Sequence, residues 1–166
     1  MKKIFLSTLV LLCLSAQAEQ PGRGKFGLGG MIGTMISGTG KYWISDKGAI
    51  DFGIGFWSPA AVGYADYLWR LKGLFGHGTR FGRETDAYIG AGGGLGFWSE
   101  CGGRWGCKDD RRSSGTVVFA RAMFGAEWSP RNVPIGVFAE AGPSIEFIPV
   151  TGGFVDFGTG CRYYFP

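Results

Sequence analysis

The sequence predicts an all-β fold, an eight-stranded antiparallel up-and-down transmembrane β-barrel. Three observations predict it. After residue 25 the chain divides into eight segments of strand length that are separated by turn-like sequences. In the charged segments, the charges share one of the two alternating positions, as Glu140 and Glu146 do within residues 137–147. The other positions are apolar and become aromatic near the segment ends, which is typical of strands that face lipid.

Residues 1–18 have the three parts of a secretory signal peptide. Lys2 and Lys3 give a positive start, a short apolar stretch follows, and an A-x-A sequence ends at Ala18. We therefore expect cleavage between Ala18 and Glu19. The apolar stretch is too short for a comfortable membrane-spanning helix.

An alternative for this region is a lipoprotein signal, in which Cys13 is lipidated. Leu12 disfavours it, because it stands where such sites require a small residue. Under either interpretation the chain is exported.

The expected mature chain, residues 19–166, has 148 residues and suits a single barrel domain. No later stretch is long and apolar enough for a spanning helix, so a chain that enters a membrane must do so as a closed barrel. Its 15 basic and 13 acidic side chains give a net charge of +2, too mild to indicate nucleic-acid binding. Glycine is abundant, with 32 residues in the full sequence, which disfavours helices and suits a narrow barrel interior.

The eight predicted strands form an even number, as bacterial barrels of this type have. If both chain ends lie at one end of the barrel, the connections 45–48, 73–84 and 128–133 lie at that end too. The segment 73–84 is longer than the turns expected there. The connections at the opposite end are 34–37, 58–62, 99–114 and 148–153. The strands are 26–33, 38–44, 49–57, 63–72, 85–98, 115–127, 134–147 and 154–165.

Strand parity sorts the side chains into an outer and an inner set. No charge falls in the outer set, because an arginine or lysine facing lipid at mid-depth costs about 2–4 kcal/mol. The outer set comprises Phe52, Ile54, Phe56, Ala65, Tyr67, Trp69, Leu71, Ile89, Ala91, Leu95, Phe97, Val118, Ala120, Ala122, Phe124, Val155, Phe157, Tyr163 and Phe165. The inner set comprises the bases Lys41, Arg70, Lys72, Arg121 and Arg162 and the acids Asp51, Asp66, Asp86, Glu127, Glu140, Glu146 and Asp156.

Aromatic side chains near the strand ends predict two belts at two membrane interfaces. The alternative is a soluble barrel of the lipocalin kind, which would need the charges outside and the aromatic set inside. The belt at the end of the chain termini comprises Tyr42, Trp69, Trp128, Tyr163 and Phe165, and the other belt comprises Trp57, Tyr64, Phe97, Trp98 and Phe147.

Several short sequences carry a resemblance to a known family. They are Lys41-Tyr42-Trp43-Ile44-Ser45-Asp46, Ala49-Ile50-Asp51-Phe52, Ala65-Asp66-Tyr67-Leu68-Trp69, Glu140 with Pro143, and the aromatic ending Arg162-Tyr163-Tyr164-Phe165-Pro166. With them, the chain resembles the small eight-stranded bacterial outer-membrane β-barrels and is similar in plan to the OmpA transmembrane domain and OmpX. One departure is Pro166, which follows the phenylalanine that normally ends such chains.

The resemblance implies an integral protein of the outer membrane of a Gram-negative bacterium, with both termini in the periplasm. Outer-membrane lipid, lipopolysaccharide and the outer-membrane assembly machinery are its implied partners. It carries almost no information about chemistry.

An eight-stranded barrel is barely wide enough to hold its own side chains. Inward charges of both signs should therefore pair, since unpaired buried charges are costly. We expect a salt-bridged core in which Arg70, Arg121 and Arg162 are shared among acids, and a structural or surface-interaction role. The alternative is a narrow channel for ions or small solutes through a switchable network. The expected acidic partners are Asp66, Glu140, Glu146 and Asp156.

The sequence predicts no catalytic residues, cofactor or metal site. A lipid A-modifying enzyme is a more distant alternative, but the single histidine, His77, has no orienting acid beside it. Glu140 and Asp156 could serve as a carboxylate pair, although ion pairing explains them better. The glycines within 90–94 lie in a strand pattern, not in a phosphate-binding loop.

The segment 99–114 is the most distinctive connection. Cys101 and Cys107 favour a local disulfide in an exported protein, because the alternative of a metal or redox pair lacks further ligands nearby. The remaining cysteine of the mature chain, Cys161, falls on the outer parity and is expected to face lipid. The basic side chains of the segment could contact lipopolysaccharide phosphates or a partner, or belong to a solvated loop stapled against proteolysis. They are Arg104, Lys108, Arg111 and Arg112.

Overall fold

A computed structural model of the chain describes residues 24–57, 60–98, 115–148 and 151–166. Each strand pairs antiparallel with the next, and the last pairs with the first, so the sheet closes into an up-and-down barrel. This confirms the predicted fold class. The strands are β1 (Phe26–Gly33), β2 (Ile36–Trp43), β3 (Gly48–Trp57), β4 (Ala60–Leu71), β5 (Thr85–Trp98), β6 (Gly115–Trp128), β7 (Ile135–Ile148) and β8 (Gly152–Phe165).

The connection between β4 and β5 contains a short helix, α1 (Arg80–Glu84), which the sequence did not predict. Thr79 caps it by accepting a hydrogen bond from the backbone N–H of Gly82 at 3.0 Å. Arg80 donates to the Glu84 carboxylate at 3.0 Å, and this hydrogen bond lowers the pKa of Glu84. In the part of the chain that the structure describes, no helix is long and apolar enough to cross a membrane.

The β1–β2 turn is shorter than the predicted connection 34–37. Strand β2 begins at Ile36, which pairs with Phe56 and is exposed on the outer face, where it continues the apolar row of the strand. Met35 points into the barrel and is buried. The predicted start of this strand at residue 38 was therefore wrong by two residues.

The barrel has the reverse of the usual soluble distribution of side chains. Ile54 and Phe56 on the outer face are 68% and 70% exposed, whereas Lys41 and Arg162 inside are 0% and 1% exposed. Every side chain of the predicted outer set is exposed or partly exposed. The arrangement that the lipocalin-type alternative requires is therefore not the one observed.

The aromatic belts follow the prediction in part. At the end of the barrel that holds the termini, Tyr42, Trp69, Trp128 and Phe165 are exposed and Tyr163 is partly exposed. At the other end, Phe97 and Phe147 are exposed, and the side chains of Trp57 and Trp98 lie outside the described part. Tyr64 was wrongly assigned to this belt, because it points into the barrel and is 5% exposed.

Inward glycines form sockets for inward rings on neighbouring strands. A Cβ added at Gly53 would lie 2.6 Å from the Tyr64 ring, and one added at Gly125 would lie closer still to the Tyr88 ring. Large and small side chains therefore alternate across the lumen, which a narrow barrel needs in order to fill its interior. This packing accounts for part of the high glycine content.

Gly53→Ala should destabilise the barrel by about 1–3 kcal/mol, because the added methyl group must push the Tyr64 ring aside in a filled interior. Gly63→Ala is the matched control. Gly63 lies one register position away, opposite Ile54, and its added Cβ would meet its nearest atom, the Gly53 carbonyl oxygen, at 3.9 Å. Urea unfolding of both variants, followed by tryptophan fluorescence, checks the difference. Equal stabilities would contradict the socket interpretation.

Candidate functional site: the charged barrel interior

All charged residues of the described strands lie at inward positions. All of them are buried except Arg70 and Asp86, which are partly exposed near the end of the barrel that holds the termini. Lys72 was predicted to be inward but is exposed, because β4 ends at Leu71 and Lys72 belongs to the following turn. The buried residues are Lys41, Asp51, Asp66, Arg121, Glu127, Glu140, Glu146, Asp156 and Arg162.

The first group, here called the terminal-end cluster, comprises Lys41, Asp51, Glu127 and Arg162. Lys41 Nζ lies 2.7 Å from Glu127 Oε2, and Arg162 donates to Asp51 Oδ2 at 2.6 Å. A longer contact of 3.8 Å joins Arg162 to Glu127. The cluster therefore connects β2 and β3 to β6 and β8 across the lumen.

Hydroxyl groups complete the terminal-end cluster. Tyr164 donates to Glu127 Oε1 at 2.5 Å, and Ser129 donates to the same oxygen at 3.2 Å. Thr39 donates to Asp51 Oδ1 at 3.1 Å and accepts a bond from Arg162 at 2.8 Å. These bonds satisfy carboxylate lone pairs that the ion pairs leave over.

The second group, here called the central cluster, comprises Asp66, Arg121 and Asp156. Arg121 binds Asp66 through Nε and a terminal nitrogen, and it donates to Asp156 Oδ2 at 2.9 Å. The Thr34 hydroxyl also donates to Asp156. One guanidinium therefore links β6 to β4 and β8, a use to which its planar fork is suited.

Gly92 makes the Arg121–Asp66 pair possible. It lies on β5 opposite both residues, and an added Cβ would collide with the Asp66 carboxylate and backbone. The absence of a side chain at this position lets the guanidinium pass over β5 to reach β4.

Tyr64 joins the two clusters. The Arg121 guanidinium carbon lies 3.9 Å from the centroid of its ring, and its hydroxyl donates to Thr39 at 3.3 Å. Thr39 in turn contacts both Asp51 and Arg162. Breaking either cluster should therefore perturb the other through this tyrosine.

Arg121 pairs with Asp66 and Asp156, two of its predicted partners, but the pairing of the other two arginines differs from the prediction. Arg162 pairs with Asp51 and Glu127, and Arg70 pairs with Asp86 at 3.3 Å while its guanidinium stacks 3.9 Å from the Trp43 ring. These three acids were inside, as predicted, but were not among the predicted partners of the arginines.

Glu140 does not pair with an arginine, although it was predicted to. Its Oε2 accepts a hydrogen bond from the Tyr88 hydroxyl at 2.9 Å. Glu140 lies opposite Gly125, and the Tyr88 ring fills the space above that glycine. This position of the ring places the Tyr88 hydroxyl within hydrogen-bonding distance of the Glu140 carboxylate. Glu146 is buried nearer the other end of the same strand.

Sequence analysis missed the inward hydroxyl groups of Thr34, Thr39, Tyr64, Tyr88 and Tyr164. A signal was available for Thr39, Tyr64, Tyr88 and Tyr164, because each shares parity with the inward residues of its own strand. Thr34 had no such signal, because it lies in the β1–β2 turn at the outward parity of both strands. The predicted network contains charged residues alone and therefore lacks these bonds.

Other expectations concern residues that the structure does not describe. These are the cleavage site at Ala18 and Glu19, the Cys101–Cys107 disulfide, and Arg104, Lys108, Arg111 and Arg112. His77 is exposed in the β4–β5 connection. Within the described residues, no group of three or more His, Cys, Asp or Glu side chains could hold a metal ion. Cys161 is exposed on the outer face.

The fold and interior define a class of protein: a small closed antiparallel barrel whose charged side is the inside and whose apolar side is the outside. The N-terminal β-barrel domain of Pseudomonas aeruginosa OprF has a similar structure, with a TM-score of 0.57 and 14% sequence identity. The similarity covers 84% of this chain and 95% of that domain, and it shows a shared fold. No protein-family profile and no curated protein sequence matches the chain.

Proposed function

We propose that the protein is an integral outer-membrane β-barrel whose interior is a salt-bridged plug, with a structural or surface-interaction role and no catalytic activity. The observation that carries the proposal is the reversed distribution of side chains, with charges inside and large apolar side chains outside. In this proposal both termini face the periplasm.

The outer surface supports a membrane location. Soluble monomers rarely expose a contiguous apolar patch larger than a few hundred Å². Here outward isoleucine, leucine, valine and phenylalanine side chains are exposed on all eight strands, among them Ile32, Ile36, Ile54, Phe97, Phe124, Val137 and Phe157. Such a surface is compatible with the hydrocarbon core of a membrane. The closed sheet also leaves no unpaired backbone edge exposed to that core.

The interior supports a plug. Lys41–Glu127 joins β2 to β6, Arg162–Asp51 joins β8 to β3, and Arg121 joins β6 to β4 and β8. These bonds cross the lumen at several heights. A conducting path would have to break buried ion pairs, and separating even one such pair is strongly unfavourable.

The same bonds argue against catalysis by the inward acids. Asp156 is engaged by Arg121 and Thr34, and Glu140 is engaged by Tyr88. Both carboxylates are buried, at 2% and 6% exposure. We therefore assign these residues a structural role.

At the opposite end of the barrel, the segment 99–114 is the proposed contact with lipopolysaccharide or another surface partner, through Arg104, Lys108, Arg111 and Arg112. Charge-assisted bonds to phosphate suit these bases. The outer-membrane assembly machinery is a second proposed partner, for the aromatic strand β8.

The proposal predicts that the protein fractionates with the outer membrane and gives no conductance in planar bilayers, because the two clusters block the lumen. Insertion is checked in the same samples by gel mobility, where the unboiled barrel should migrate differently from the boiled chain. Discrete conductance steps from inserted protein would support the channel alternative and contradict the plug. Recovery of the protein in the soluble periplasmic fraction would contradict the membrane location.

A further inference from the structure

The exposed charges at the end of the barrel that holds the termini are mostly positive. Among the described side chains at this end, Asp46 is the exposed acid, while Glu84 is buried beside Arg80. The exposed bases form what we call the basic collar, which comprises Lys25, Lys47, Lys72, Arg80, Arg83 and Arg131.

The long β4–β5 connection adds exposed apolar side chains to the basic collar. Leu74, Phe75 and Phe81 are 67%, 44% and 59% exposed, and they alternate with Lys72, Arg80 and Arg83 along the segment. Large apolar side chains beside bases are the composition of segments that lie in a membrane interface.

The connection is held against the barrel wall close to the aromatic belt. The Thr85 hydroxyl donates to the Phe81 carbonyl at 2.8 Å, and the Ser129 N–H donates to the Glu84 carbonyl at 2.8 Å. Thr85 is the register partner of Trp128, an exposed belt residue. Because α1 is fixed to the ends of β5 and β6, its exposed side chains lie near the belt residue Trp128.

We infer that the segment 72–84, together with the basic collar, binds anionic phospholipid headgroups of the leaflet at this end of the barrel. The inference rests on the proposed membrane location and deepens it by naming a lipid class. Phosphate groups complement the bases, and the acyl region beneath them accepts the apolar side chains. The position of the segment beside the aromatic belt favours a lipid over a periplasmic protein.

The experiment places an environment-sensitive fluorophore at residue 77, in a His77→Cys variant whose Cys101, Cys107 and Cys161 are replaced by serine. The barrel is reconstituted in vesicles of phosphatidylcholine alone or with phosphatidylglycerol. We expect headgroup nitroxides to quench the probe and aqueous iodide not to, in the vesicles with phosphatidylglycerol. Lys72→Gln with Arg83→Gln should lower the bound-to-free ratio of the segment by about tenfold or more, since each base contributes roughly 1 kcal/mol of attraction. The matched control, Lys72→Arg with Arg83→Lys, keeps both charges and should leave the ratio nearly unchanged.

If gel mobility shows that the barrel is inserted and iodide reaches the probe equally in both kinds of vesicle, the inference is overturned. The proposed membrane location is unaffected by that result. Equal protection in both kinds would overturn the claim of an anionic lipid. Iodide protection that requires added periplasmic extract would assign the surface to a protein partner instead. Failure of the barrel to insert in either vesicle would overturn both proposals.

Discussion

Arg162→Met should lower the free energy of unfolding of the barrel by about 3–5 kcal/mol, because it leaves the buried Asp51 carboxylate without the cation that pairs with it. Arg162 is 1% exposed, contacts Asp51 and Glu127, and stacks 3.7 Å from the ring of Phe138. Methionine retains much of the volume, so the loss reports mainly on charge and hydrogen bonding. Urea unfolding in lipid vesicles, followed by tryptophan fluorescence and gel mobility, measures it.

Two further variants distinguish the loss of the Arg162–Asp51 ion pair from the destabilisation that any substitution of a buried residue causes. Arg162→Lys keeps the charge but loses the planar fork, and it should lie between the wild type and Arg162→Met. Adding Asp51→Leu to Arg162→Met removes the orphaned carboxylate and should restore part of the lost stability. A loss below about 1 kcal/mol for Arg162→Met would mean that the terminal-end cluster does not stabilise the barrel.

Phe157→Arg should destabilise the barrel by about 2–4 kcal/mol, because in the proposed membrane location it places a charge against hydrocarbon near the middle of a strand. Phe157 lies on β8 and is 56% exposed on the outer face. If that face met water, the same substitution would change the free energy of unfolding by no more than about 0.5 kcal/mol, as surface substitutions usually do. Unfolding in vesicles measures the loss, and Phe157→Leu is the control that should leave the stability nearly unchanged.

The eight strands could be predicted from the sequence because the alternation of side chains and the positions of turn residues divide the chain into the same eight segments. The observed strand bounds differ from the predicted ones by up to three residues. The differences of two residues or more are at the starts of β2, β4 and β8. In the first two, apolar Ile36 and the alanines at 60 and 61 extend the strands into segments predicted to be connections. Apolar residues at a strand end and in a turn cannot be told apart by composition alone.

The inward set could also be predicted, but the pairing within it could not. Parity places Asp51 and Asp66 in the lumen without showing that they lie opposite each other. Each of these two acids needs a cation to pair with. Which arginine pairs with which acid depends on how far the Arg162 and Arg121 side chains extend across the lumen. That reach depends on gaps such as Gly92, whose effect requires the three-dimensional register.

The misassignment of Tyr64 has a simple cause. The residue shares parity with Asp66 and Leu68, which are both inward, but it was assigned to the belt because it is aromatic and near a strand end. Parity should have outweighed residue type here. Its hydroxyl and ring then connect the two charge clusters, a role that neither belt residues nor charged residues would have indicated.

The most direct test of the central claim measures what surrounds the outer face. A Phe157→Trp variant is reconstituted in vesicles whose lipids carry bromine deep in their acyl chains, and its added emission is the difference from the wild type. If the apolar face lies in hydrocarbon, the bromines quench this emission strongly and aqueous iodide does not. Quenching by iodide without quenching by the bromines would show that the face meets water, and the proposed membrane barrel would be wrong.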